Sequence, residues 1–165
     1  MLLGEQTSVE YRTRRDFCKL VSSQIGTPYV WAGNNPETGF DCSGLVVWAL
    51  RQHGLLRPRD DLTAQRLADL STQVPALKRG DLVFYGRDWG RVTHVTIYIG
   101  MGYLVGASRG NRNIRSKEQA RLKKAAVRTL DLDYRTRDRL GFGRLINPKD
   151  DPNWRPLPLN LEVRK

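Results

Sequence analysis

The chain has 165 residues, with 28 Lys and Arg against 17 Asp and Glu, a formal net charge of +11. That length supports one domain with a real hydrophobic core and is short for two. Two cysteines and two histidines, with no CxxC pair, argue against a disulfide framework and against any metal site, and no apolar run approaches the roughly 18 residues of a membrane span.

The N-terminus, MLLGEQTSVEYRTRRDF, lacks a basic region, an apolar stretch and a small-residue cleavage site, so it does not read as a signal peptide. A soluble protein is expected. Residues 7–25 predict a first helix, with Val9, Phe17, Leu20, Val21 and Ile25 at near-helical spacing and Gly26 and Pro28 ending it. Cys18 lies on this helix between apolar neighbours and reads as a packing thiol.

The stretch TPYVWAGNNPETGFD is dense in Gly, Pro and Asn and predicts a structured loop. CSGLVVWALRQHG follows as a helix starting at Cys42 and ended by Gly54. Its apolar run, Leu45 to Leu50, covers nearly the whole circumference, as in a buried central helix. A shorter helix is expected within Asp61–Leu70, with Thr63 as its cap.

From Gly80 the pattern alternates. Strands are predicted at Asp81–Tyr85, Val92–Ile99, Tyr103–Ala107 and Leu140–Ile146, separated by Gly-containing turns. The segment Gly110–Arg128 reads as a basic insertion or strand connection in which SKEQARLKKAAV forms a helical turn or two. Helices first and antiparallel strands after them give a segregated α+β domain over 1–146. The Pro-rich residues 147–165 read as a surface tail.

Twelve Lys and Arg face four Asp and Glu between Arg109 and Arg144. This excess is either a solvated basic face or an attraction to a polyanion. No nucleic-acid motif accompanies it, and no stripe of stacking aromatics, so specific nucleic-acid binding is not expected.

Cys42 is the chemically suggestive residue. A cysteine in the first turn of a helix faces unpaired N–H groups and the positive end of the helix dipole, which lower a thiol pKa. The small Ser43 and Gly44 let a substrate carbonyl approach, and the N–H of Cys42 or Ser43 is a candidate oxyanion donor. Two histidines can serve as base. His53 is near the C-terminus of the same helix, far from Cys42, and reads as structural. His94 sits in the alternating strand THVTIYIG, in the helix-then-sheet order in which a cysteine–histidine pair forms.

The blocks TPYVWAGNNPETGFDCSGLVVW, LKRGDLVFY, THVTIYIGMGYLVGAS and RDRLGFGRLI resemble the NlpC/p-sixty superfamily of papain-like peptidoglycan endopeptidases. The resemblance spans roughly residues 10–146, with the blocks in order. It implies a papain-like α+β fold, N-terminal helices packed on a central antiparallel sheet, working without metal or organic cofactor. Cys42 would be the nucleophile and His94 the base. Tyr29 would point its hydroxyl toward the site, and Asp41 and Ser43 would hold the free amine of a short stem peptide. The bland alternatives are a core aromatic at Tyr29 and a helix-start carboxylate at Asp41.

Three positions depart from the family pattern. The third catalytic group of the family aligns with Gly106, which has no side chain to orient His94. A backbone carbonyl or an ordered water, Ser108, or Asn111 are the candidates to replace it; an inactive protein is the remaining reading. Ala32 stands where the family often has glycine, and so does Thr96. The implied activity is hydrolysis of peptidoglycan stem peptides, at the D-γ-glutamyl–diamino acid bond. The alternatives are a weak or inactive cell-wall-binding module and a papain-like amidase acting on another amide. Anionic wall polymers are further expected partners, with Arg112 and Arg115 expected at the cleft rim to attract anions. The setting expected is the cell wall, periplasmic or extracellular. It would be reached as a phage lysis or tail protein with its assembly partner, as a toxin carried by a secretion machine, or as a domain of a longer exported protein. Recycling of wall peptides in the cytoplasm is the other option.

Overall fold

A computed structural model describes residues 13–145 of the chain. Helix α1 occupies 13–22 of these and buries Phe17 and Val21; the predicted start of this helix lies outside the described residues. A short hairpin follows, β1 (Asn34–Asn35) against β2 (Gly39–Phe40). Its turn is closed by Asn35, whose Oδ1 accepts the N–H groups of Glu37 and Thr38. Such a side-chain-closed turn is a habit of Asn.

Helix α2 (Cys42–Gln52) is the centre of the molecule. Leu45, Val46, Val47 and Ala49 have no solvent exposure, as the all-round apolar run predicts. Helix α3 (Ala64–Leu70) begins where Thr63 accepts the N–H of Arg66. Strands β3 (Thr72–Val74), β4 (Leu82–Gly86), β5 (Val92–Gly100), β6 (Tyr103–Ser108), β7 (Ala126–Asp131) and β8 (Arg139–Arg144) build one antiparallel sheet. Its order is β3-β8-β4-β5-β6-β7. Helix α4 (Lys117–Lys123), capped by Ser116, connects β6 to β7.

The alternation of β4 and β5 sorts side chains onto two faces. Leu82, Phe84, Val95 and Ile97 join the main core, which also contains α1, α2 and α3. Val83 and Tyr85 join Leu104 in a smaller cluster on the far face, covered by Tyr134 and Phe142. This is the expected α+β arrangement of helices on a central antiparallel sheet. The strands at Leu82–Gly86, Val92–Gly100, Tyr103–Ser108 and Arg139–Arg144 lie within a residue or two of their predicted bounds; Ile146 and the tail lie outside the described residues. Only the end of the supposed insertion is strand: Ala126–Arg128 open β7, which runs on to Asp131 and pairs with β6 along its whole length, from Tyr103–Asp131 to Ser108–Ala126.

Asp81 ties the sheet to α1. It is fully buried, and its carboxylate accepts from Arg14 Nη1 (3.2 Å), Arg144 Nε (2.9 Å), Arg144 Nη2 (2.8 Å) and the backbone N–H of Lys78 (2.7 Å). The Gly-Asp pair before β4 is therefore an ionic hub of the fold.

Candidate active site

A cavity of about 740 Å³ opens where the N-terminus of α2 meets the start of β5. Cys42, Ser43, Asp41, Tyr29 and His94 all line it, and so do Ser108 and Asn111. The expected nucleophile, base, substrate-binding residues and both candidate orienting side chains thus reach one cleft.

The DCSG segment folds as it does for separable reasons. Asp41 is the N-cap of α2: its Oδ1 accepts the Gly44 N–H at 2.7 Å and the Ser43 hydroxyl at 3.3 Å. Its Oδ2 accepts the Ala32 N–H at 2.9 Å, which fastens the preceding loop to the helix. Ala32 meets this bond with φ at 61°, a left-handed conformation that glycine adopts without strain. Gly44 lets the helix press on that loop, since a Cβ there would stand 1.9 Å from the Gly33 carbonyl oxygen. Tyr29 is buried and lies flat on Gly110. Burial pushes its phenol well above the usual range, helped by the nearby Cys42 and Asp41.

Cys42 places its sulfur within reach of three backbone N–H groups, those of Val95, Ser43 and Cys42 itself. They favour the thiolate, but burial outweighs them, and with the Asp41 carboxylate it pushes the thiol up to about 11. The helix start is a less positive setting than its sequence suggests, because the capping carboxylate occupies it. Cys18 is buried, where Cys42 keeps some exposure, and burial pushes the Cys18 thiol up to about 11.

His94 precedes Val95 on β5 and lies opposite Tyr85 of β4. Its ring centroid is 5.3 Å from that of Tyr85 and 6.0 Å from that of Tyr134. Burial among these rings, with Arg135 close by, pushes the imidazole down to about 3, against a smaller opposing pull from Asp138. Its Nε2 is buried with no hydrogen-bond partner among the described residues, and the same is true of the Ser108 hydroxyl. The Asn111 side-chain oxygen accepts the Asn113 N–H at 2.8 Å, closing its own turn.

Beside the pairing of Ile97 with Val105, Thr96 faces Gly106 across the two strands. A Cβ at Gly106 would stand 2.9 Å from Thr96 Cγ2. The two departures noted in the sequence are therefore one exchange across neighbouring strands: the side chain absent from 106 is present at 96. Thr96 turns its hydroxyl to Tyr85, with the two oxygens 3.3 Å apart.

Sequence reasoning missed the turn between β7 and β8. Tyr134 and Arg135 both line the cleft, and only their place in a long basic connector pointed to them. Arg112 lines it as expected; Arg115 does not, and its N–H is held instead by Gln119 Oε1 at 2.7 Å. His53 caps the far end of α2, with its ring 5.9 Å from that of Phe17.

Residues 26–131, well over half of the chain, match the NlpC/P60 family. The chain belongs to the NlpC/P60 family. Among curated relatives it is 36% identical over 152 residues to the murein DD-endopeptidase MepH of Escherichia coli strain K12, an alignment covering 88% of this chain and 51% of that protein. It is 47% identical over 81 residues to the bifunctional muramidase/DL-endopeptidase CwlT of Bacillus subtilis strain 168, covering 47% of this chain and 24% of that protein. The chain thus spans about half or less of the length of these two relatives. Among solved structures, the P60 domain of the antigen MAP1204 from M. avium subspecies paratuberculosis superposes with a TM-score of 0.65 at 27% identity, covering 84% of this chain and 98% of that one. The peptidoglycan hydrolase RipB of Mycobacterium tuberculosis gives 0.62 at 29% identity, covering 82% and 65%. The papain-like NlpC/P60 fold follows. No helix among the described residues is long and apolar enough to cross a membrane.

Proposed function

We propose that this NlpC/P60 domain is a cysteine peptidase that hydrolyses peptidoglycan stem peptides at the D-γ-glutamyl–diamino acid bond. The observation that carries the reading is the meeting, in one cleft, of a cysteine at the start of a buried helix and a histidine on the adjacent strand. The endopeptidase names of MepH and CwlT and the peptidoglycan-hydrolase name of RipB support the substrate class, and they span more than one bond.

Cys42 is the nucleophile and His94 the base. Burial favours the neutral form of both, so the thiol proton passes to His94 as the S–C bond forms. The backbone N–H groups around the sulfur receive the oxyanion. The C–N bond then breaks as His94 returns the proton to the leaving amine, and water hydrolyses the thioester by the reverse proton path. Asp41, Ser43 and Tyr29 form the acyl-side wall, with the Asp41 carboxylate as countercharge for a free amine. Ser108 is the orienter of His94, acting through a bridging water, because its hydroxyl and His94 Nε2 are both buried and unpaired. Asn111 is the weaker choice because its oxygen is already engaged. A cell-wall setting, and attraction of wall polymers by the net charge of +11, belong to the same proposal.

Incubation of purified sacculi with wild type and Cys42→Ala, followed by mass spectrometry of released peptides, is the test. Release by wild type alone, with a new D-glutamyl terminus, is expected. Equal background release from both would favour the second reading, a wall-binding module, for which the unpaired His94 Nε2 speaks.

A further inference from the structure

Asp41 and Asp61, with Arg109, Arg112 and Arg135, are the charged residues lining the cleft of the proposed Cys42–His94 pair. Asp41 and its neighbour Asp61 stand on the Cys42 side, and the field of Asp41 acts on the thiol. On the His94 side stands Arg135, in the turn between β7 and β8. Its guanidinium carbon is 5.4 Å from the centroid of the Tyr85 ring, the same ring that packs on His94. Asp138 fixes this fork by accepting from Arg135 Nε at 3.2 Å and from Nη2. A guanidinium carries five N–H donors, so two bonds to Asp138 leave donors over even with Tyr134 beside it. The residue lines the cleft and holds a left-handed backbone with φ at 52°, uncommon for a side chain of this size. A cation paired with a carboxylate at the wall of a cleft, on left-handed backbone, is suited to a recognition residue.

The chemistry of the proposed reaction says what it recognises. The base that takes the thiol proton returns it to the leaving amine, so the leaving group lies on the His94 side. We infer that Arg135 binds a free carboxylate on the leaving-group side of the scissile amide, so that the enzyme selects diamino acids bearing an unblocked carboxylate over amidated ones. This inference rests on the proposed hydrolase function and names its leaving-side specificity. Arg135 acts on binding and does not enter the proton path.

The test compares L-Ala-γ-D-Glu-meso-diaminopimelate with the same peptide amidated at both diaminopimelate carboxyls, using wild type, Arg135→Gln and Arg135→Lys. Wild type is expected to favour the carboxylate peptide about tenfold in kcat/KM, chiefly through KM, as a charge-assisted hydrogen bond implies. Arg135→Gln is expected to bring the ratio to about 1, and Arg135→Lys to restore part of it. An unchanged ratio in Arg135→Gln would overturn the inference while leaving the hydrolase reading intact. If wild type cuts neither peptide faster than Cys42→Ala, the hydrolase reading fails and the inference with it. Calorimetric titration of Cys42→Ala with both uncleaved peptides reads recognition apart from turnover. Equal affinity for the two would overturn the inference, as would an unchanged preference in Cys42→Ala/Arg135→Gln.

Discussion

At the residue scale, the exchange between Thr96 and Gly106 decides how His94 can be held. Any side chain at 106 begins with a Cβ, and that atom would press on Thr96 Cγ2. Gly106→His alone is therefore expected to destabilise by roughly 1–3 kcal/mol, as overpacking does, and to lower activity. Combined with Thr96→Gly, it places an imidazole in the freed space beside His94 and is expected to recover both properties. Urea unfolding and peptide release measure the two effects; a double variant no better than Gly106→His would mean that Thr96 does not fill that space. The environments of Cys42 and His94 set a second expectation. Folding raises the Cys42 pKa to about 11 from 9.0 and lowers that of His94 to about 3 from 6.5. A thiol so raised alkylates slowly at pH 7, and its rate with iodoacetamide should still climb through pH 9 in a Cys18→Ala background; a plateau reached below pH 7 would indicate a preformed thiolate–imidazolium pair. The same shift acts on stability. Between pH 6.5 and about 3 the unfolded chain binds a proton on His94 that the folded one does not, so stability falls as pH falls through that window.

At the element scale, legibility followed how local the cause was. Helix α2 was readable from end to end because its cap, its apolar circumference and its Gly54 stop are all sequence-local. Helix α3 and its Thr63 cap were readable for the same reason. Strand β7 was not: Ala126–Asp131 follows a run of lysines, alternates weakly in burial and is held by its ladder with β6. Tertiary pairing overrode a weak local signal there. The cleft shows the same division. Cys42, His94, Tyr29, Asp41 and Ser43 converge as motif and element order suggest. The opposition of Thr96 and Gly106 depends on register, and the entry of Tyr134 and Arg135 depends on a turn closing over the far face of the sheet. Neither is written in spacing along the chain.

At the scale of the whole molecule, the question is what holds a chain of net charge +11 together around a cleft where α2 meets β5. Much of the cation excess lies in α4 and the strands around it, where Lys123 and Arg121 are solvated. Asp81 is different, being a single carboxylate that anchors Arg14 of α1 and Arg144 of β8, each side chain under one-tenth exposed. Removing that charge would take a buried carboxylate from two buried guanidinium groups, a loss that costs about 3–5 kcal/mol when one partner of a buried pair is taken away. It would also release Arg14 of α1 from the sheet against whose strands β5 and β6 helix α2, and with it Cys42, is packed. Asp81→Asn is therefore expected to lower the urea midpoint at pH 7 by an amount corresponding to about 3–5 kcal/mol, together with peptide release. Asp16→Asn serves as the contrast, since its pair with Arg15 leaves both side chains nearly half exposed and such pairs contribute under about 1 kcal/mol. High salt should screen the difference made by Asp16 and leave that made by Asp81. Two variants with equal midpoints would mean that the buried cluster does not hold the helical layer to the sheet.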